Sequence, residues 1–196
     1  MDAAPHPVSR FGHVELQDMP DDLRRRIGAI TEKSGFVPNV FLALARRPAE
    51  LRAFLDYHDA LMDSDEGLSR AERELVVVAT SGANHCTYCV VAHGAILRVR
   101  SKDPELADRV SSNPWQVELD ERGRAIIDLA LALAQDSAAF GDVDLEAASD
   151  GGLTEDEIWD VGAITALFAM SNRLAHLTAL RPNSEFYLMG RLPRER

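Results

Sequence analysis

The chain has 196 residues and a hydrophobic fraction of 46%, which suits one domain, or one compact core built from two similar halves. Its formal net charge of -11 argues against a nucleic-acid partner, because binding to phosphates needs a basic surface. No apolar run reaches the ~18 residues that a membrane span requires. The N-terminus "MDAAPHPVSR" also lacks the apolar segment of a signal peptide, so we expect a cytoplasmic protein without a membrane partner.

The pattern of apolar residues predicts an all-α protein. Residues 1–18 are predicted as an irregular lead-in and residues 19–196 as a single helical domain, because no alternating strand pattern of useful length occurs. Helices are predicted over residues 21–33, 38–46, 48–62, 71–83, 86–99, 120–135, 154–169 and 171–180, with a short helix within 102–114. Residues 137–152 are predicted as a loop with one helical turn, and the C-terminal tail is predicted to dock through residues 186–188.

Two of the predicted helices open on a Ser/Thr-x-x-Glu capping box, one at Ser69 and one at Thr154. The stretches 67–86 and 152–171 share this start and the apolar run that follows it. The likeness predicts a degenerate internal repeat of two helical hairpins. Under this offset Ser171 falls where the first hairpin has its first cysteine, so only one hairpin carries the cysteine chemistry.

The segment "NHCTYCVVAH", residues 84–93, contains both cysteines of the chain. Cys86 and Cys89 are three residues apart, and Cys89 and His93 are four apart, so the three side chains share one helical face. Adjacent helical turns place two Cα atoms within the ~4.4 to 6.8 Å that a disulfide tolerates. Cys86 lies at the predicted helix start, where free N–H groups stabilise an anion, so its pKa is expected to fall.

A base for His93 is expected on the preceding helix. If residues 71–83 and 87–99 form a tight antiparallel hairpin, Glu74 lies about 15 Å before the turn and His93 about 12 Å after it, at 1.5 Å per residue. The two side chains then lie nearly side by side. Glu74 also opens the most apolar stretch of its helix, where a carboxylate needs a partner. These positions predict a proton relay from Glu74 through His93 to Cys89.

Three interpretations of the cysteine pair remain open from spacing alone: a redox-active dithiol, two inert buried thiols, and a metal site. A structural zinc site needs four ligands, and this helix offers only Cys86, Cys89 and His93. A thioredoxin-like site would follow a strand in a βαβ unit, which the pattern does not contain. We therefore favour the redox pair and expect neither a metal nor a cofactor, with a non-enzymatic thiol switch or partner-binding protein as the alternative.

The combination of Glu74, eleven intervening residues and "CTYCVVAH" resembles the signature of the AhpD-like alkyl hydroperoxidases in the carboxymuconolactone decarboxylase superfamily. The flanking "GFVPNVF", "NRLAHL" and "RPNSEFYLMGR" resemble its peroxidase-related branch, and the likeness covers nearly the whole chain from about Leu16 onward. The resemblance implies an all-helical fold, a homo-oligomer, and peroxide reduction by a dithiol. The decarboxylase branch lacks this cysteine pair, so decarboxylation is disfavoured.

The resemblance also implies roles for the individual residues. Cys89 would be the thiolate that attacks the peroxide and Cys86 the resolving thiol, with His93 and Glu74 as the relay. A lipoyl-type or thioredoxin-type dithiol would regenerate the pair. The best-known members carry a histidine between the two cysteines, at the position of Tyr88 here, so the relay has one imidazole fewer.

Five further residues receive structural predictions. Ser81 and Asn84 are expected to hold the turn before the cysteine helix, with Asn84 as a helix cap. His58 and His176 lie on amphipathic helices and are expected to be core or interface residues, although His58 could face the site. Tyr88 is expected to serve packing or an oligomer contact.

Overall fold

Residues 7–191, the part of the chain that the computed structural model describes, contain no β-strand and form a bundle of α-helices, as the sequence predicts. The predicted lead-in and domain also include residues 1–6 and 192–196, which lie outside the described range. Residues 7–15 form no helix. The 3-10 helices are Leu16–Asp18 and Pro114–Gln116, and the α-helices are α1 Asp21–Ser34, α2 Asn39–Leu44, α3 Pro48–Met62, α4 Arg70–Ala83, α5 Thr87–Ser101, α6 Leu106–Ser112, α7 Glu121–Gln135, α8 Asp142–Asp150, α9 Glu155–Thr178 and α10 Glu185–Leu188.

Local signals set most helix starts. Pro48 occupies the first turn of α3, where its fixed φ and missing N–H cost nothing. Ser69 caps α4: its hydroxyl accepts the backbone N–H of Glu72 at 3.3 Å, and the Glu72 carboxylate accepts the N–H of Ser69 at 2.7 Å. Thr154 opens α9 through the same capping box. Both predicted capping boxes are therefore confirmed.

Arg122 of α7 joins the two capped helix starts. Its guanidinium contacts the Glu72 carboxylate at 2.6 Å and the Glu157 carboxylate at 2.6 Å. These contacts lower the pKa of Glu157 to about 2, chiefly through the hydrogen bond from Arg122. One arginine thus fixes the N-terminal ends of α4 and α9 against α7.

The prediction of two helices over residues 154–169 and 171–180 is wrong, because α9 runs unbroken through Glu155–Thr178. A Ser-Asn pair favours caps and turns when its side chains bond locally. Here Ser171 and Asn172 are buried instead, and the Asn172 amide donates to the Ser81 hydroxyl of α4 at 3.1 Å. A tertiary partner replaces the local hydrogen bond, so the helix continues.

The predicted loop over residues 137–152 contains a nine-residue helix, α8, rather than one turn. The Asp144 carboxylate accepts the backbone N–H of Gly141 at 2.9 Å and stabilises the first turn. At the other end Gly151 lies so close to Ala125 of α7 that an added Cβ would approach the Ala125 methyl to 2.4 Å. Packing against α7 therefore stabilises a helix that the polar sequence does not reveal.

The predicted docking of the tail is correct for Phe186 and wrong for the next two residues. Phe186 is buried and meets the Phe36 ring edge to face, with centroids 4.8 Å apart, and its carbonyl accepts a hydrogen bond from Arg98 at 2.8 Å. Tyr187 and Leu188 are exposed. Because α10 is a single turn, only one of three consecutive side chains can face the protein.

The core is built around α4, which packs against α5, α6, α7 and α9. The side chains of Val76, Val77 and Val78 are fully buried there. Arg73 is buried as well, and its guanidinium pairs with Asp160 at 2.9 Å and donates to three backbone carbonyls, those of Leu61, Glu66 and Leu68. The α3–α4 loop is thereby fixed to the first turn of α4, next to Glu74.

Within residues 7–191, no helix is both long enough and apolar enough to span a bilayer. The predicted internal repeat stays a prediction.

Candidate active site at Cys86 and Cys89

Three residues, Asn84 to Cys86, connect α4 to α5 and reverse the chain. His85 adopts a left-handed conformation with φ of 53°, which closes the turn without a glycine. The Cys86 N–H donates to the Ser81 carbonyl at 2.9 Å, and Cys86 becomes the N-cap of α5. The cysteine pair therefore begins at the helix terminus, where the backbone N–H of Cys89 is a donor to the Cys86 sulfur.

Neither cysteine forms a disulfide. Both are buried, with 1% of Cys86 and 2% of Cys89 exposed. Apolar or aromatic side chains enclose them: Tyr88, Ala92, Ala95, Ala175 and Phe186, with Phe36, Val40 and Met189 at the margin. The C-terminal tail and the α1–α2 loop thus cover the thiols. Such surroundings exclude bulk water and suit an apolar reactant.

The pKa of the Cys86 thiol falls from 9.0 to about 6. The largest cause is the hydrogen bond that the Cys89 thiol donates to the Cys86 sulfur; the backbone N–H of Cys89, the charge of His176 and the Asn172 amide add to it, against the cost of burial. This direction is the one that the position at the helix start predicts.

The pKa of Cys89 is raised well above 9.0, because its proton is held by the Cys86 sulfur and because the group is buried. At neutral pH the pair therefore holds one negative charge, on Cys86, and one proton, on Cys89. A base is needed before Cys89 can act as a nucleophile.

Glu74 and His93 lie together, as the comparison of helix levels predicts. The Glu74 carboxylate, 2% exposed, contacts Nδ1 of His93 at 2.8 Å, and its second oxygen lies 3.5 Å from Arg100. The carboxylate fixes the tautomer with the proton on Nδ1 and leaves Nε2 as the basic atom. His93 lies one turn after Cys89 on the same face of α5, so the imidazole can accept the thiol proton.

An aromatic wall holds the His93 ring. Phe168 of α9 meets it edge to face, with centroids 4.6 Å apart. His58 of α3 also lies near this ring, with its centroid 6.3 Å from that of His93. His58 thus faces the site, which the sequence allowed but did not favour.

Sequence reasoning missed Asn172 of α9. This fully buried side chain accepts from the Asn84 amide at 3.0 Å and donates to the Ser81 hydroxyl at 3.1 Å. Its orientation is thereby fixed. As a hydrogen-bond donor the amide adds to the lowering of the Cys86 pKa and opposes the larger effects that raise the Cys89 pKa. A signal was present, since an asparagine within the apolar run "ITALFAMSN" must find a buried partner.

His176 was predicted as a core or interface residue; it is exposed, so the core position is wrong and the interface position stays a prediction. Its Nε2 donates to the Asn84 carbonyl at 3.0 Å, beside the start of α5. Tyr88 behaves as the sequence predicts: it is buried, and its hydroxyl accepts the backbone N–H of Val40 at 3.1 Å. Tyr88 therefore fastens the first turn of α2 to the start of α5.

The chain is similar to one protein family and to several solved structures. Residues 48–113 match the carboxymuconolactone decarboxylase family. A peroxidase-related protein from Ralstonia eutropha JMP134, described as an alkylhydroperoxidase AhpD core, is 52% identical, with a TM-score of 0.93 over 96% of this chain and 100% of that one. A peroxidase-related protein from Silicibacter sp. TM1040 is 34% identical, with a TM-score of 0.87 over 97% and 98%.

More distant structures share the fold alone. The debrominase Bmp8 superposes with a TM-score of 0.77 over 94% of this chain and 96% of its own, at 17% identity. Among curated proteins there is no significant match. The family relation therefore rests on the two structures of higher identity.

Thiolate titration tests the charge distribution in the pair. We expect the ultraviolet thiolate absorbance of the reduced protein to rise by one equivalent with a midpoint of about pH 6, and by a second only well above pH 9.0. In Cys89→Ala, the Cys86 midpoint should move up toward 9.0, because the main hydrogen-bond donor is lost. Two equivalents that titrate together near pH 9.0 in the wild type would contradict this arrangement.

Proposed function

The chain belongs to the AhpD-like, peroxidase-related proteins of the carboxymuconolactone decarboxylase family, and we propose that it is a thiol-dependent peroxidase and disulfide oxidoreductase that reduces alkyl hydroperoxides. The observation that carries the proposal is the reduced Cys86–Cys89 pair at the start of α5, with one charge and one proton shared between its sulfurs. The buried Glu74–His93 hydrogen bond supports it, because it supplies a base for the remaining proton.

In the first step, Nε2 of His93 takes the Cys89 proton and the Cys89 thiolate attacks the terminal oxygen of the hydroperoxide R–O–OH. The O–O bond breaks, two electrons leave the sulfur, and Cys89 becomes a sulfenic acid. The alkoxide that leaves takes the proton back from His93 and departs as the alcohol. Glu74 stabilises the imidazolium that exists in between.

In the second step, the Cys86 thiolate attacks the sulfenic sulfur of Cys89. The Cys86–Cys89 disulfide forms and hydroxide leaves, which requires one proton to become water. The lowered pKa of Cys86 suits this role, because the resolving thiol is already a thiolate. An external dithiol of lipoyl or thioredoxin type then reduces the disulfide by thiol–disulfide exchange and is itself oxidised.

The enclosure favours organic hydroperoxides as substrates. The sulfurs are surrounded by aromatic and alanine side chains, so an alkyl group gains contact area where a small polar peroxide does not. Tyr88 stands between the cysteines with its hydroxyl bonded to the backbone of Val40, so it contributes packing rather than a proton relay.

A redox switch without turnover is the second candidate, and the burial of both sulfurs favours it. A thiol pair that a protein partner cannot reach would oxidise once and remain oxidised. Within the described residues, no group of three or more His, Cys, Asp or Glu side chains is arranged to hold a metal ion. Turnover with a reductant separates the enzyme from the switch.

We also propose that the protein assembles with copies of itself through the outer face of α9. Large apolar side chains recur along this face and remain exposed, namely Trp159, Met170 and Leu177, with Tyr57 of α3 beside them. A continuous apolar strip of this kind is typical of a protein–protein interface.

Sedimentation velocity tests the self-association. We expect a species heavier than the 21.6 kDa monomer, and partial or full dissociation in Met170→Glu, which places a charge in the strip. Trp115→Glu is the control, because Trp115 is also an exposed apolar residue but lies outside α9. A monomeric wild type at high protein concentration would refute the assembly.

Trapping of the intermediate tests the peroxidase proposal. After one equivalent of an organic hydroperoxide, we expect both thiols of the reduced protein to disappear together, with the mass of two hydrogens lost. Cys86→Ser should accumulate a sulfenic acid on Cys89, while Cys89→Ser should be unreactive. With dihydrolipoamide present, the wild type should consume many equivalents of peroxide.

Three results would change the account. Thiols that survive excess peroxide would remove the peroxidase proposal. A sulfenic acid on Cys86 in the Cys89→Ser variant would reverse the roles of the two cysteines. Oxidation of one equivalent without further consumption, in the presence of the dithiol, would identify a switch.

A further inference from the structure

The relay that serves Cys89 is nearly closed to solvent. Glu74 is 2% exposed and the His93 side chain 14% exposed, and Glu74 occupies Nδ1 of the ring. Protons that enter or leave must therefore pass the remaining open edge of His93. The groups near that edge therefore set the route by which protons pass between solvent and His93.

His58 of α3 is an ionisable ring close to His93. Its ring centroid lies 6.3 Å from that of His93, and both rings contact Phe168 of α9, at 6.3 and 4.6 Å. Phe54 stacks on the other face of His58 at 6.1 Å. Two imidazoles on different helices thus share one aromatic enclosure, and proton transfer between them requires bridging water.

Charged residues contact the side of His58 that faces away from His93. Its Nδ1 lies 3.1 Å from the Asp59 carboxylate, which Arg26 of α1 contacts at 2.7 Å. Arg26 also contacts Asp56. The hydrogen bond to His58 and the contact with Arg26 lower the pKa of Asp59 to about 2, so this carboxylate stays ionised and can stabilise an imidazolium. With Nδ1 engaged, Nε2 of His58 is the atom left for proton exchange.

The side chain of His58 also reaches solvent, with 28% of its surface exposed. The charged groups around the two imidazoles are then Asp59, Asp56 and Arg26 on the outer side and Glu74 and Arg100 on the inner side. His58 contacts Asp59 of the outer set and lies beside His93, which contacts Glu74 of the inner set. His58 therefore stands between water and the buried relay.

The proposed chemistry needs such a connection. The reduced pair starts with one proton for two sulfurs, because Cys86 is already a thiolate near neutral pH. That proton leaves with the alcohol in the first step. The hydroxide released in the second step must take its proton from solvent, so one proton enters the site in every turnover.

We propose that His58 is a proton-relay residue that passes this proton from solvent to Nε2 of His93. The inference rests on the proposed peroxidase function and names the route for its second step. His58 touches neither sulfur nor substrate in this scheme and acts only through His93. Asp59 and Arg26 hold its ring in the orientation that the transfer requires.

Single-turnover and steady-state kinetics of His58→Gln test the inference with an organic hydroperoxide and dihydrolipoamide. We expect kcat to fall by about tenfold or more, with KM for the peroxide nearly unchanged and a larger solvent deuterium effect, because a proton donor is removed. The sulfenic acid on Cys89 should live longer. In His58→Ala, added imidazole should restore part of the rate, which a purely structural role of His58 would not allow.

The matched control is His13→Gln. His13 also pairs with a neighbouring carboxylate, Glu15 at 2.8 Å, and has a similar exposure, but it lies outside the site. A wild-type rate and isotope effect in His58→Gln, or no response of His58→Ala to imidazole, would overturn the relay while the peroxidase function stands. A wild type that leaves the peroxide untouched would overturn both.

Discussion

The buried hydrogen bond between Glu74 and His93 is the interaction on which the site depends. Burying a carboxylate in the apolar middle of a bundle costs free energy unless a charged or hydrogen-bonding group contacts it. That contact ties α4 to α5 across a three-residue turn. Because α4 is fixed on its other sides by α6, α7 and α9, the bond also fixes the rotation of α5 and so the direction of both sulfurs.

In the proposed mechanism the two cysteines have different roles because their local environments shift their pKa values in opposite directions. The Cys86 sulfur accepts hydrogen bonds from the Cys89 thiol, the Cys89 backbone N–H and the Asn172 amide. These donors lower its pKa, so the negative charge of the pair lies on Cys86. Cys89 keeps its proton until a base removes it. In the proposed mechanism Cys86 is therefore ready to resolve, and Cys89 becomes a nucleophile only when His93 removes its proton.

The part of the site on α4 and α5 could be predicted from the sequence because helical geometry fixes it. Spacings of three and four residues put Cys86, Cys89 and His93 on one face, and the short turn allows levels on two helices to be compared. The contributions of α3 and α9 could not be predicted in this way. His58 and Asn172 reach the site through long-range packing, which periodicity alone does not reveal.

The errors in the fold have the same origin. The unbroken α9 and the helix α8 depend on tertiary partners, Ser81 in one case and the close approach of Gly151 to Ala125 in the other. Local residue preference favours a break at Ser171 and a loop before Thr154, and packing overrides it. The strongest local signals, the capping boxes and the proline at the start of α3, predicted their positions correctly.

The most direct test of the account is the rate at which hydroperoxide oxidises reduced Glu74→Gln, a change that keeps shape and removes the charge. We expect the variant to fold and to keep the Cys86 thiolate, because Glu74 is not among the groups that stabilise it. Its oxidation by hydroperoxide should slow by about 100-fold or more, since His93 loses the partner that makes it a base. Glu118→Gln, an exposed change, should behave as wild type. Oxidation of Glu74→Gln at the wild-type rate would contradict the relay on which the account is built.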